Sequence, residues 1–207
     1  MLKVLGFLSG AIFLLAVAGG SGALFVLYHY GRDLPNFDQL ATYQPPVMTR
    51  VHTADGSLLK EYAIEKRVFV PVAAMPGRLI EAFLAAEDDT FFEHPGVDVR
   101  SVLGAVVTNL MNYRGDRRPV GASTITQQLA KTVVGSKRSL KRKIREAILA
   151  RRMEDVFSKT QILGRYLNSI YLGYHSYGVQ SAARNYFRKD ISELTLGETA
   201  MLAGLPV

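Results

Sequence analysis

Residues 79–96 read LIEAFLAAEDDTFFEHPG, and this stretch places an acid where an apolar residue belongs. Laid out as a helix, Ile80, Phe83, Leu84 and Glu87 fall at i, i+3, i+4 and i+7, the spacing of a face turned toward a core. On that reading the Glu87 carboxylate loses hydration in its charged form. Its pKa then rises toward the range in which a general base or acid works near neutral pH. On the alternative reading Glu87 frays with Asp88 and Asp89 on a solvated helix end, and periodicity alone leaves both open. His94, Pro95 and Gly96 stop the helix, so the acidic end lies beside a loop, where sites tend to open.

Upstream of this helix the pattern changes. Residues 47–77 read as extended, with Asp55-Gly56 as a hairpin signal between VMTRVHT and LLKEYAI, and RVFVPV (67–72) as a third strand of a small β appendage. Ser57-Leu58-Leu59-Lys60 matches the S-x-x-K of penicillin-reactive enzymes. It follows a turn into a strand, however, and no S-D-N or K-T-G accompanies it, so it is a coincidence of spelling. Residues 31–46 carry three prolines and little periodicity, which marks a linker. Residues 1–30 form a membrane anchor: from Val4 to Tyr28 there are 25 residues without a charge, more than the roughly 20 needed to span a bilayer core. Lys3 precedes them and an inside N-terminus is expected, which puts the remainder across the membrane. The competing reading is a cleaved signal peptide, with Ala16-Val17-Ala18 as its cleavage pattern. Retention is favoured because apolar residues resume at 23–27.

Downstream, residues 78–207 are helical. Asp98 caps a helix whose Val99, Val102, Leu103, Val106, Val107 and Leu110 form one wide apolar stripe, expected to be a core helix. NYRGDRRPVG (112–121) reads as a loop. Ser123 is expected to cap STITQQLAKTVV, while Ser158 with Gln161 and Thr195 with Glu198 form capping boxes of two later helices. The chain has 207 residues, 48% of them apolar, and no cysteine, which excludes a disulfide framework and thiolate chemistry. Its four histidines show no metal-ligand spacing.

Charge adds a second clue. Residues 121–160 hold ten basic side chains against three acidic ones, an excess equal to the net +7 of the whole chain. Such a cluster draws phosphate, from nucleic acid, anionic lipid or a diphosphate leaving group, unless it is only a solvated face. A membrane segment and the absence of a nucleic-acid motif speak against nucleic acid. Within the cluster Arg142, Lys143 and Glu146 share one helix side, either as a surface ion pair or as a carboxylate held charged beside a phosphate site. One desolvated and one paired carboxylate is the arrangement glycosyl chemistry uses.

These residues resemble a known family. Glu87-Asp88-x-x-Phe91-x-x-His94-x-Gly96 matches the first signature of the family 51 peptidoglycan glycosyltransferases, and Gly121-Ala-Ser-Thr-Ile-Thr-Gln-Gln128 the second. Arg142-Lys143-x-x-Glu146 matches the third, Lys159-x-x-Ile162-Leu163-x-x-Tyr166-Leu167-Asn168 the fourth, and Leu202-Ala-Gly-Leu-Pro206 the fifth. Order and spacing agree, and with the anchor and extended region the chain looks like the start of a class A penicillin-binding protein of the 1A type. The resemblance implies a mainly α, lysozyme-like glycosyltransferase domain that polymerises lipid II into β-1,4-linked glycan, with inversion at the anomeric carbon and release of undecaprenyl diphosphate. It implies Glu87 as general base and Glu146 as its helper. Lys131, Arg138, Arg142 and Lys143 would face the diphosphate, and Ser123, Thr124, Gln127 and Gln128 would line the cleft. Asp88, His94 and Asn168, also signature positions, join the substrate-binding set. A divalent cation (Mg or Mn) at the diphosphate is a family expectation without a dedicated site in the sequence. Expected partners are lipid II, the growing glycan, membrane lipid and cell-wall synthesis proteins.

The sequence departs from the family at three places. Gly164 stands where the fourth motif usually carries Glu, and Arg188 where Gly usually follows Tyr-Phe. The chain stops at Val207, so the domain is expected to be C-terminally incomplete, with no transpeptidase domain. Two other functions compete: a glycan-cleaving, lysozyme-like enzyme using Glu87 as acid, and a catalytically silent anchor for cell-wall partners. Phe91, Phe92 and the helix from Val99 to Tyr113 are candidates for an apolar lip at the membrane, against core packing as the plainer role.

Overall fold

A computed structural model describes residues 2–35, 49–62, 66–112, 121–135 and 139–206. Most of the expected linker, residues 113–120, and Lys137 and Arg138 lie outside these. Helix α1 (Leu2–Gly31) opens the chain. Its segment Phe13–Gly31, with mean hydropathy 1.5, is long and apolar enough to cross a membrane. Strands β1 (Thr49–His52) and β2 (Leu58–Tyr62) pair antiparallel across the Asp55-Gly56 turn. Gly56 takes φ +84° there, and Thr53 and Ser57 donate hydrogen bonds to the Asp55 carboxylate, pulling its pKa down to about 2.

The expected third strand does not join this hairpin. Only Lys66–Arg67 is extended (β3), and it pairs parallel with β4 (Ser176–Tyr177), more than a hundred residues on. Val70 follows suit. Its N–H donates to Asn168 Oδ1 and its carbonyl accepts from Asn168 Nδ2, both at 2.8 Å. The stretch is bound to the helical body because its backbone groups find their partners there.

That body comprises α2 (Gly77–Glu87), α3 (Val99–Met111), α4 (Ile125–Val134), α5 (Leu140–Val156), α6 (Lys159–Ser169), α7 (Val179–Phe187) and α8 (Leu196–Ala203). It is mainly helical, as the periodicity predicts. Helix α4 packs against both α5 and α6, and α2 lies against α8. Leu79, Phe83, Ile125, Leu149, Ile162 and Leu167 are fully buried at the centre. The caps at Asp98, Ser158 and Thr195 form as expected, but α4 starts one residue later than predicted. Thr124, not Ser123, accepts from the Gln127 N–H, and Gln127 returns a bond to the Thr124 N–H.

Helix α3 overturns an expectation. Of its residues only Ala105 is buried, while Val99, Leu103, Val106, Val107, Leu110 and Met111 are all more than half exposed. It is no core helix; its apolar stripe faces outward.

Candidate active site

Glu87 is the last residue of α2, and the chain leaves helical geometry at Asp88 (φ −167°). Phe83, one turn back, is fully buried and its ring meets Tyr166 edge-on at 6.4 Å between centroids. Glu87 itself is half-buried, nearer to the core-facing reading than to the frayed one. Burial pushes its carboxyl above the ordinary value of 4.5, a hydrogen bond from Gln128 opposes this, and the neighbouring Asp88 charge adds to it. The Gln128 amide is held in turn by the Tyr166 hydroxyl, which donates to Gln128 Oε1 at 3.3 Å.

Asp88 points the other way. Its buried carboxylate accepts from His94 Nε2 at 2.9 and 3.1 Å and from the Ile125 N–H at 2.9 Å. The Gly96 N–H donates to His94 Nδ1 at 3.2 Å, which leaves Nε2 as the donor toward Asp88. Gly96 has φ +95°, and a Cβ there would lie 2.9 Å from the Ala150 carbonyl oxygen, so this signature glycine is required twice over. Lys159 completes the brace: its Nζ donates to the His94 carbonyl at 2.6 Å and to Glu154 Oε1 at 2.8 Å, above the Phe91 ring. Asp88 and His94 thus tie α2, its following loop and the start of α4 into one rigid corner.

Glu146, on α5, has no solvent exposure. Arg142 pairs with its Oε1, and Lys143 Nζ lies 3.1 Å from Oε2, an ion-pair contact without hydrogen-bond geometry. Lys143 also donates to Ser123 Oγ at 2.7 Å, linking α5 to the segment before α4.

Two adjoining compartments open around these groups. The larger, about 440 Å³, is walled by Glu87, Asp88, Asp89, Thr90, Asp98 and Ser101 on one side and by residues 121–124 and Gln128 on the other. The smaller, about 150 Å³, is lined by Glu87, Ser123, Gln127, Gln128, Lys131, Arg142, Lys143, Glu146 and Pro206. Glu87, Ser123 and Gln128 border both, so the acid stands where an acidic chamber meets a cationic one.

The sequence-predicted residues separate on this map. Glu87, Glu146, Ser123, Gln127, Gln128, Lys131, Arg142 and Lys143 share the smaller compartment, and Thr124 and Asp88 border the larger. His94 and Asn168 line neither. His94 is buried in the corner just described, and the Asn168 amide is spent on Val70 and on the Gly164 carbonyl at 2.8 Å. Both are engaged in holding the scaffold together. Arg138 lies outside the described residues. Pro206 and Ser101 line the cleft without having been singled out for it, although Pro206 ends the fifth signature.

A family model described as Transglycosylase matches residues 55–207. The chain belongs to the transglycosylase family. Among relatives, Penicillin-binding protein 1A of Rickettsia felis is 49% identical over 197 residues, which cover 94% of this chain and 25% of that protein. The protein of the same name from Neisseria lactamica is 44% identical over 206 residues, 99% of this chain and 25% of its own length. A crystal structure of Penicillin-Binding Protein 1A from Haemophilus influenzae aligns with 79% of this chain and 14% of that one, at 30% identity and a TM-score of 0.37. This transglycosylase chain therefore spans about a quarter of the length of the curated relatives it matches.

Proposed function

We propose that the chain is a peptidoglycan glycosyltransferase that polymerises lipid II at the outer surface of the cytoplasmic membrane, held there by α1. The observation that carries this is the shared compartment: Glu87 opens onto the same small chamber as Lys131, Arg142 and Lys143. In the reaction, Glu87 takes the proton of the acceptor sugar's 4-hydroxyl as that oxygen attacks the donor's anomeric carbon. The new C–O bond forms as the bond from that carbon to the diphosphate oxygen breaks, and the electron pair leaves with the lipid diphosphate, inverting the centre. Negative charge grows on the diphosphate, and fixed cations stabilise it most in a chamber walled off from water. Glu146 holds Arg142 and Lys143 in place, and Lys143 passes that order to Ser123. The larger chamber, beside the base but away from the cations, suits the acceptor sugar.

A divalent cation fits this chamber poorly. Its donor set is cationic, its one further carboxylate, Glu146, is already paired, and among the described residues no three acids or histidines converge. No step is assigned to a metal.

The outward stripe of α3, with the exposed Phe92 near its start, gives the domain an apolar surface of the kind that lies in the headgroup region. The test is to give the purified chain labelled lipid II and, separately, finished glycan, comparing it with Glu87→Gln. Polymer that disappears in the variant is expected. Cleavage of finished glycan would replace this function with the lysozyme-like one, and silence on both substrates with that of an inert anchor.

A further inference from the structure

The basic residues of α5 divide over two faces, and only one turns to the cleft. On the other, Arg152 reaches the C-terminal end of α1. Its Nη2 donates to the Gly31 carbonyl at 2.9 Å and its Nη1 to the carbonyls of Leu34 and Pro35, each at 3.3 Å. Arg145, two turns earlier, donates to the Asp33 carbonyl at 3.4 Å. The last carbonyls of a helix carry the negative end of its dipole, so the Arg152 guanidinium brings the matching charge to the Gly31 carbonyl, which also accepts from the Leu34 N–H at 3.2 Å. The remaining bonds of Arg152 and that of Arg145 hold the carbonyls of the turn that follows.

Packing seals the same joint. A Cβ on Gly31 would lie 3.1 Å from Arg152 Nη2 and 3.6 Å from Ile148 Cγ2, so the α1 backbone approaches α5 as closely as a glycine permits. Leu34, 7% exposed, belongs to the hydrophobic core. By contrast Phe13, Leu14, Leu15, Leu24, Phe25 and Leu27 are all more than half exposed. Among the described side chains, the helix is seated at its exit.

Helix α5 therefore joins two things: the diphosphate chamber through Arg142, Lys143 and Glu146, and the end of the anchor through Arg145 and Arg152. From Glu146 to Arg152 is six residues, or about 9 Å of helix. We propose that Arg152, helped by Arg145, is a positioning residue that docks the end of the anchor onto α5 and so holds the cationic chamber at a fixed height above the bilayer, at the depth of a membrane-embedded diphosphate. This inference rests on the proposed function. A loosely tethered domain meets a diphosphate at that depth only in a fraction of its orientations, whereas a docked one keeps its local concentration high. For a substrate dissolved in water the height is irrelevant.

The experiment uses the full chain in liposomes with two donors: lipid II in the same bilayer, and a short-prenyl, water-soluble analogue. Arg145→Ala combined with Arg152→Ala is expected to lose about tenfold of the rate on the bilayer substrate while keeping the soluble rate within about twofold. Arg152→Lys, which keeps the charge but not the fork, is expected to fall between. Because the chain has no cysteine, spin labels at Tyr28→Cys and Arg151→Cys can report the joint independently of activity. A narrow distance distribution is expected in the parent, broadening in the double alanine variant. Equal loss on both substrates, no loss on the bilayer substrate, or a broad distribution in the parent would each overturn the docking. If the parent polymerises neither substrate, the functional proposal fails and the distance measurement still decides the joint.

Discussion

At Glu87 the burial that raises the carboxyl pKa is a liability for folding. Its carboxyl lies above the ordinary value of 4.5 in the folded chain. The native state then holds its proton more tightly than the unfolded state. The contribution to stability is complete below the unfolded value and is lost as pH rises through the raised folded one. Glu87→Gln should therefore melt at a higher temperature than the parent at about pH 8 and show a smaller gain near pH 4, while making no polymer. Thermal denaturation at the two pH values checks the sign; a variant less stable at pH 8 would mean that the Gln128 bond outweighs desolvation. The rate itself should show an acid limb set by Glu87, with activity rising as the base ionises.

Among the elements, the departures from the family pattern at Gly164 and Arg188 find physical reasons. A Cβ at Gly164 would come within 2.6 Å of Val72 Cγ2, in the 3-10 turn Val72–Ala74. Alanine gains about 1 kcal/mol of helix propensity there, but forcing a methyl against a stiff β-branched side chain costs about 1–3 kcal/mol. Gly164→Ala should on balance destabilise, read as a lower denaturant midpoint. Arg188 ends α7 in the left-handed region, φ 56° and ψ 32°, where a side chain costs about 1–2 kcal/mol. Arg188→Gly recovers that cost less the glycine's own chain entropy, so a gain of about 0.5–1 kcal/mol is expected in the same measurement.

What the sequence discloses and what it hides divide along physical lines. The α2 face, the capping boxes at Ser158 and Thr195, and the residues of the cationic chamber were legible, because each rests on local spacing or on a recognised signature. The cap at Thr124 reads one residue early in the sequence, at Ser123, although Gln127 three residues on marks the capping box. The pairing of Lys66–Arg67 with Ser176–Tyr177 was not legible, because nothing local encodes a contact of that range. Nor was the exposure of α3: an apolar stripe looks the same whether its partner is a core or a membrane. The placement of His94 and Asn168 outside both compartments was not legible either, because a signature position can serve the scaffold as well as the substrate.

For the molecule as a whole, the proposed function gives the exposed stripe of α3 and the helix α1 one membrane surface in common. A Leu side chain moved out of water contributes about 1.5–3 kcal/mol. Replacing both Leu103 and Leu110 by Asp should therefore lower binding of the chain, truncated before Gly31, to anionic vesicles by about tenfold or more. Its melting temperature should hardly change, since neither side chain packs in the core. Unaltered vesicle sedimentation would remove α3 from the membrane face. The net charge of +7 is spread over the same design. Lys131, Arg142 and Lys143 serve the chamber, Arg145 and Arg152 the anchor, and Arg151 a surface pair with Asp155 at 2.8 Å.

The grip of Arg152 on main-chain oxygens rather than side chains has an evolutionary corollary. Such a socket is blind to spelling, so the hydrophobic helix above it is free to drift, or to be grafted from an unrelated protein, provided that it keeps a small residue at position 31. It is not blind to spacing: a residue inserted between Gly31 and Pro35 would put the three oxygens out of reach of one guanidinium.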